Sequence, residues 1–336
     1  MKPQILYAVL IALLPAATSP SQALAPPRAA AGPVDFSLPA DWMSRNAPLL
    51  GGRKLANVVL PGSHDAASYS LRPDSSVCPA RIAQLSALGE LAALGAFFMA
   101  PRARAQEESI GSQLAAGVRY LDLRVCALRE GEEPPQFFLH HTFLGAPLDE
   151  VLAELDAFTR AHPREIVILD FQHLSGFTAA DRRWLARHLE AQLGDRMLAR
   201  SVALGAVTVG ELWTRRTSLI VLLEDAPRSP HIYDRRDNLE SRWMNAGSVS
   251  GLLSAMATRA KEQTSGLHVL QWQITPGLRE FLAHPFSTLK DFAAGPNHLI
   301  HDGTLRGLLP PASMNVVMTD DATSVAASIA QLNALR

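Results

Sequence analysis

A distorted or incomplete TIM-type (β/α) barrel, in a single α/β domain, is the fold class that the 336-residue sequence predicts. Two observations carry this reading. Short apolar runs rich in β-branched residues alternate with segments whose apolar residues recur at helical spacing, the order that builds a parallel sheet with helices outside it. Each run also ends in polar or charged residues. Polar clusters at the C-terminal ends of successive strands are what the open face of such a barrel requires.

The chain begins with Lys2 and an apolar stretch from Ile5 to Ala17, interrupted by Pro15 and followed by Ala23-Leu24-Ala25. This is the pattern of a secretory signal peptide over residues 1–25, with a small-x-small cleavage site. The stretch is shorter than the roughly 20 residues of a spanning helix, and an uncleaved lipid anchor is the alternative. The expected location is therefore secreted, extracellular or periplasmic. Residues 26–50 are rich in Pro and Ala and read as an N-terminal arm or linker, which leaves 51–336 for the barrel.

Seven runs read as strands: Leu55–Leu60, Val118–Val125, Phe137–Leu139, Ile166–Phe171, Leu219–Leu223, Val269–Ile274 and Val316–Met318. The weak run His298-Leu299-Ile300 is the candidate eighth, hence a distorted or incomplete barrel. Helical spacing marks Asp149–Thr159, through Val151, Leu152, Leu155 and Phe158, with Asp149 as the expected cap. The same spacing marks Ala179–Leu193, through Trp184, Leu185, Leu189 and Leu193, and Ala322–Leu335, through Val325, Ile329 and Leu332. Residues 81–104 break the pattern. Leu91–Ala100 is strongly apolar yet falls in a loop on the active face, as a helix packed on the rim or as an element touching a membrane. Phe97, Phe98 and Met99 in succession cannot share one helix face.

A formal net charge of −1 gives no reason to invoke nucleic acid and no global attraction to anionic membranes. The two cysteines, Cys78 and Cys126, permit a disulfide in a secreted chain, with two unpaired thiols as the alternative. Their spacing excludes a zinc ribbon or a CxxC redox site.

The chemistry-bearing residues follow the strands. Leu55–Leu60 leads into Pro61-Gly62-Ser63-His64-Asp65, and Phe137-Phe138-Leu139 into His140-His141. Between them, Asp122 and Arg124 alternate with Leu121, Leu123 and Val125, so both point to one face. Histidine titrates near neutrality and serves as acid or base. Arginine keeps its proton and grips phosphate oxygens in a fork. Two histidines, an arginine and flanking carboxylates make an acid–base apparatus around a phosphate-sized anion. His140 and His141 face opposite ways, so only one joins that apparatus. Asp170, Gln172, Glu224 and Gln271, with His173 nearby, are the candidate pocket residues for a hydroxyl-rich substrate. Trp272 is a candidate ring-stacking wall or a core residue. Ser63 lacks the sharp elbow sequence of a hydrolase nucleophile.

Four segments carry a family resemblance: Pro61-Gly62-Ser63-His64-Asp65, Gly117 to Val125, His141, and His162-Pro163-Arg164-Glu165 through Asp170-Phe171-Gln172-His173. In this order they resemble the X-domain of phosphatidylinositol-specific phospholipases C, above all its X-domain-only and small bacterial members. The likeness runs from about Leu55 to Asp320. It implies a distorted barrel and a phosphodiester substrate with a neighbouring hydroxyl, cleaved to diacylglycerol and a cyclic inositol phosphate. It implies His64 as general base and His141 as general acid, with His140 structural. Asp320 would pair with His64, and Asp65 with Asp122 would support His141. Arg124 stands where the calcium-dependent eukaryotic members have a carboxylate, which implies a metal-independent site with no cofactor. A glycine usually follows the second histidine in that family, whereas Thr142 follows here. A phospholipid at a membrane surface, touched through 91–100 by a monomer, is the implied partner. The alternatives are a catalytically silent lipid- or sugar-binding protein on the same scaffold and a glycerophosphodiester phosphodiesterase, which would need a His-Arg pair near the start and a carboxylate pair for metal.

Overall fold

The computed structural model describes residues 33–82, 99–129, 134–259 and 266–336. Ten strands are found among them: β1 Leu60–Ser63, β2 Tyr120–Leu128, β3 Gln136–His141, β4 Phe143–Pro147, β5 Val167–Ser175, β6 Leu219–Leu223, β7 Ile232–Asp234, β8 Leu239–Ser241, β9 Leu267–Gln271 and β10 Val316–Thr319. Eight of them form one curled sheet in the order β7-β6-β5-β2-β1-β10-β9-β8. Every pairing along that path is parallel. β7 and β8 are its two ends and pair with no further strand among the described residues, so the barrel is incomplete there.

Alternation along the strands sorts side chains into an interior and an outer layer. Leu121, Leu123 and Val125 of β2 and Leu169 and Phe171 of β5 pack outward with Leu152, Leu155, Leu185 and Leu189 of the helices Leu148–Ala161 and Ala179–Leu193. Tyr120, Ile168, Ile220, Leu60, Val316 and Met318 fill another cluster with Val269 and Leu267. On the far side, Val317, Leu270 and Trp272 meet Val325 and Ile329 of the last helix, Ala322–Gln331. Gly62 is required by close packing. A Cβ there would lie 2.7 Å from a Val316 methyl and 3.2 Å from the Met318 Cα on the neighbouring strand.

Several elements differ from the sequence reading. Leu55–Asn57 is a 3-10 turn, and β1 begins only at Leu60. β3 is not a barrel strand: it pairs antiparallel with β2 and with β4, a hairpin added to the sheet. His298-Leu299-Ile300 is helical, inside Ala294–His301. Pro296 in that helix's first turns is tolerated because its missing N–H would be unpaired anyway. The strands β7 and β8, three residues each, complete the count instead. The helix read from Asp149 begins at Leu148, with Pro147 at the cap position and Asp149 and Glu150 in the first turn. There they favour the positive end of the dipole. Trp272 is fully buried and donates its indole N–H to Pro296 O at 2.9 Å, which makes it a core residue. Cys78 and Cys126 form a disulfide. The segment 1–25 and residues 91–98 lie outside the described residues; Met99 is half-buried and Ala100 buried. No described helix is long and apolar enough to cross a membrane.

The N-terminal arm is packed from Val34 onward, with Trp42, Met43 and Leu50 fully buried. Its anchor is an ion pair with no solvent exposure on either side chain, Arg119 NH2 to Glu165 Oε2 at 2.7 Å. Glu165 also accepts the backbone N–H groups of Met43 and Ser44. Arg119 donates to the carbonyls of Leu114, Val118, Pro39 and Ala40. Removing one partner of such a pair leaves the other charge buried. Arg119→Ala is therefore expected to destabilise the fold by about 3–5 kcal/mol in urea unfolding. A change below about 1 kcal/mol would show that the arm holds without this pair.

Candidate active site

Three parallel strands deliver the charged groups to one end of the barrel. His64 and Asp65 follow β1, Asp122 and Arg124 sit within β2, and Asp320 follows β10. The β3–β4 hairpin brings His141 across them. Buried Gln106 clasps two of these strand ends, donating to His64 O at 2.9 Å and to Thr319 O at 3.0 Å while accepting the Ala322 N–H. Asp65, Thr142 and Asp321 all have positive φ, at 43°, 65° and 47°. Non-glycine residues in this region gather where a site holds its backbone in place.

The centre of the arrangement is Arg124. Its Nε lies 2.7 Å from Asp65 Oδ1 and its NH2 3.1 Å from Asp122 Oδ2. His64 Nδ1 donates to Asp320 Oδ1 at 2.6 Å. His64 Nε2 has two neighbours at almost equal distance, Arg124 NH2 at 3.1 Å and Asp65 Oδ2 at 3.2 Å. The guanidinium donates to a neutral ring and the carboxylate accepts from a charged one, so one geometry serves both protonation states. His141 Nδ1 donates to Ala103 O at 2.9 Å, and its Nε2 lies 3.2 Å from the same Asp65 Oδ2. One carboxylate oxygen is thus shared by two imidazoles whose ring centres are 6.3 Å apart.

Burial alone would depress the His64 pKa, but the carboxylates of Asp65 and Asp320 overcome it and lift the ring to about 9. His141 moves the other way: burial lowers it, and Asp65 only partly offsets that. Burial would raise Asp122, but the Arg124 and His64 charges bring it well below the usual carboxylate range. Arg124 is also desolvated, yet Asp122 and Asp65 hold its proton more firmly than usual. His140 is buried on the opposite face of β3, and desolvation takes it down to about 3.

A cavity of about 650 Å³ opens over these groups. Gln172, His173, Arg235, Ser241 and Gln271 line it together with His64, Arg124, His141 and Asp320. Met99, Phe143, Ile274, Phe281 and Leu289 give it an apolar side, and Trp243, 58% exposed, stands at that side as well. The structure therefore brings together His64, Asp65, Asp122, Arg124, His141 and Asp320, and places Gln172 and Gln271 at the wall. Asp170 is fully buried beneath it. Burial raises its pKa to about 6, against the pull of Arg235 and Tyr120. Tyr120 OH donates to it at 2.6 Å and Arg235 Nε at 2.8 Å, while Arg235 NH2 reaches Gln172 Oε1 at 3.2 Å. Asp170 thus holds Arg235, which lines the cavity. Glu224, just after β6, is not among the residues lining the cavity and lies 3.9 Å from Arg236. The sequence reading missed Arg235, because Asp234-Arg235-Arg236-Asp237 looks like a solvated charge run. It also missed Gln106, whose role is visible only once two strand ends converge.

His64, Asp65 and Asp122 offer ligand atoms within 4.8 Å of one another. A cation there would have to displace Arg124, whose guanidinium already lies against both carboxylates.

No family model matches the chain. Mouse PI-PLC X domain-containing protein 1 is 32% identical over 258 residues, spanning 75% of this chain and 73% of its relative. The human protein of the same name is 29% identical over 253 residues, 74% and 77% of the two chains. The chain belongs to the PI-PLC X-domain family. Within reach of that family, the variant-surface-glycoprotein phospholipase C of Trypanosoma cruzi is 31% identical over 230 residues, 65% of this chain and 60% of its own. Two solved structures share the fold of this X-domain chain. The phosphatidylinositol-specific phospholipase C of Staphylococcus aureus superposes with a TM-score of 0.60 at 15% identity, over 89% of this chain and 98% of its own. That of Listeria monocytogenes gives 0.58 at 18% identity, over 88% and 98%.

The His64 shift has a measurable consequence for this X-domain protein. A group whose pKa rises on folding adds stability that is fully present below its unfolded value, 6.5, and is lost as pH climbs through about 9. The stability gap between the wild-type protein and His64→Gln is expected to shrink by on the order of 2–3 kcal/mol between about pH 6 and about pH 10. A gap that stays constant across that range would contradict the assignment.

Proposed function

We propose that this protein is a secreted phosphatidylinositol-type phospholipase C working by His/His general acid–base catalysis without a metal. The observation that carries the reading is the pairing of His64 and His141 across Arg124, with one shared carboxylate oxygen, on the floor of a cavity with a polar and an apolar side. A phospholipid headgroup fits such a cavity by polarity, sugar against Gln172, Arg235 and Gln271, glycerol and acyl carbons toward Ile274, Phe281 and Leu289.

In this reading the phosphate oxygens meet the Arg124 guanidinium from the cavity side, while Asp65 keeps its place at Nε. His64 Nε2 takes the proton of the inositol hydroxyl next to the phosphodiester, and that oxygen forms a bond to phosphorus. The bond from phosphorus to the glycerol oxygen breaks, and His141 Nε2 supplies the proton that completes diacylglycerol. Arg124 stabilises the charge that builds on the equatorial oxygens. Holding the attacking hydroxyl beside phosphorus makes the step unimolecular. The substrate-free site favours charged His64 and neutral His141, which is the state left after cyclisation and the state needed for water to open the ring with roles reversed. Before each cyclisation the proton must cross from one imidazole to the other, and Asp65 Oδ2 lies 3.2 Å from both Nε2 atoms. Trp243 at the cavity and Phe286, 91% exposed after the helix Leu278–Ala283, support contact with a membrane surface.

His64→Ala and His141→Ala are each expected to lower kcat by about 10²–10⁴, and His140→Ala by less than about tenfold, with circular dichroism unchanged. Equal losses at His140 and His141 would overturn the face assignment. Phosphorus NMR of an early time point with phosphatidylinositol should show cyclic inositol phosphate before any open monophosphate. An acyclic product from the start would make water the nucleophile. Because Arg124 supplies the positive charge, turnover should be unaffected by EDTA; strict dependence on an added divalent cation would sink the metal-independent reading.

A further inference from the structure

We infer that the Cys78–Cys126 disulfide is a positioning device for His141, holding in place the left-handed turn at Thr142 that aims this imidazole into the cavity. His141 ends β3, and the chain reverses at Thr142 into β4. Thr142 has φ 65°, a region that a β-branched residue enters only under constraint. The turn must therefore be held from outside itself.

Three contacts hold it, and all come from residues 76–78. The Cys78 N–H donates to Thr142 O at 2.8 Å, and the Leu144 N–H donates to Ser76 O at 2.7 Å. Val77 forms an antiparallel bridge with Phe143. This short extended segment lies along the returning arm of the hairpin and is fastened by the bond from Cys78 to Cys126. Cys126 is on β2, two residues beyond Arg124, and stands opposite Phe138 of β3. The bond thus closes a frame around the His141 turn, and it is anchored on the strand that carries the phosphate-binding arginine. Both cysteines are fully buried.

The second hold on the ring runs through the same region. His141 Nδ1 donates to Ala103 O, and Ala103 packs with Met99 and Val77 against Leu71, Ala100 and Phe143. Freeing residues 76–78 would loosen both the backbone turn beside the imidazole and the carbonyl that orients it. A glycine at position 142 would keep the left-handed turn unaided. With threonine there, the clamp takes over that task.

The kinetic readout rests on His141 being the acid of the proposed reaction; the ring's tautomer does not. Cys78→Ala/Cys126→Ala is expected to lower kcat roughly tenfold or more while KM changes less than about twofold. The nitrogen NMR signature of His141, that of an Nδ1-protonated ring in the wild-type protein, should become a mixture of tautomers. Adding Thr142→Gly should restore most of kcat and the wild-type signature. A double variant with an unchanged His141 signature overturns the inference, and so does a triple variant as impaired as the double. If the double variant fails to fold, the triple decides: recovery of the fold and of the ring signature supports the clamp, and no recovery refutes it. If the wild-type protein cleaves no phosphatidylinositol, the functional reading fails while the ring signature still decides the clamp.

Discussion

The open face of this barrel depends on Arg124 lying between Asp65 and Asp122. Two buried carboxylates side by side repel each other, and a cation between them offsets that repulsion. The guanidinium stands against both, and everything around it inherits its character from that. Asp65 Oδ2 lies 3.2 Å from the Nε2 atoms of both imidazoles, so one oxygen serves two rings. Asp122 is anionic and so accepts the Asp65 N–H at 3.1 Å, which fixes the turn after β1. His64, with a second carboxylate in Asp320, becomes the more basic ring, while in His141 burial outweighs both Asp65 and the Ala103 carbonyl. The asymmetry between two chemically identical side chains comes from the second carboxylate, which only His64 has.

The backbone supports this by tolerating strain at the strand ends. Asp65 and Asp321 take left-handed conformations beside His64 and Asp320, and Thr142 does so beside His141. Each is pinned by a neighbour: Ser68 N–H on Asp65 O, Ala105 O on the Asp321 N–H, and Cys78 N–H on Thr142 O. The polar wall continues the same logic one layer down, where buried Asp170 fixes Arg235 at the cavity edge and Tyr120 satisfies its remaining oxygen.

Strands with both faces covered were the most legible part of the sequence. Leu219–Leu223 is a strand with the bounds its apolar run suggests, and Val316–Met318 differs by one residue. Such runs are uniform because a parallel strand meets side chains on both sides. β7 and β8 lie at the open ends and are three residues long, too short for any period to show. β4 contains Gly145 and Pro147, poor strand formers, and owes its existence to the hairpin turn before it. The arm with Trp42 and Met43 reads as a linker because its anchor, Arg119–Glu165, joins residues far apart in sequence. The six charged residues that the structure brings together were legible because each follows a recognisable run or alternates within one. Arg235 and Gln106 were not, since one follows a strand too short to see and the other works from a loop. The disulfide was permitted by the cysteine count, but only the fold shows Cys78 beside the turn at Thr142.

The most direct test of the Arg124 cluster is an imidazole titration by nitrogen NMR with His64 and His141 both assigned. His64 is expected to hold its proton until about pH 9, with His141 losing its proton below the ordinary imidazole value. Two rings that titrate together near 6.5, as free histidines do, would show that the buried cluster, with Asp320 on His64 alone, does not set the acid–base order of the site.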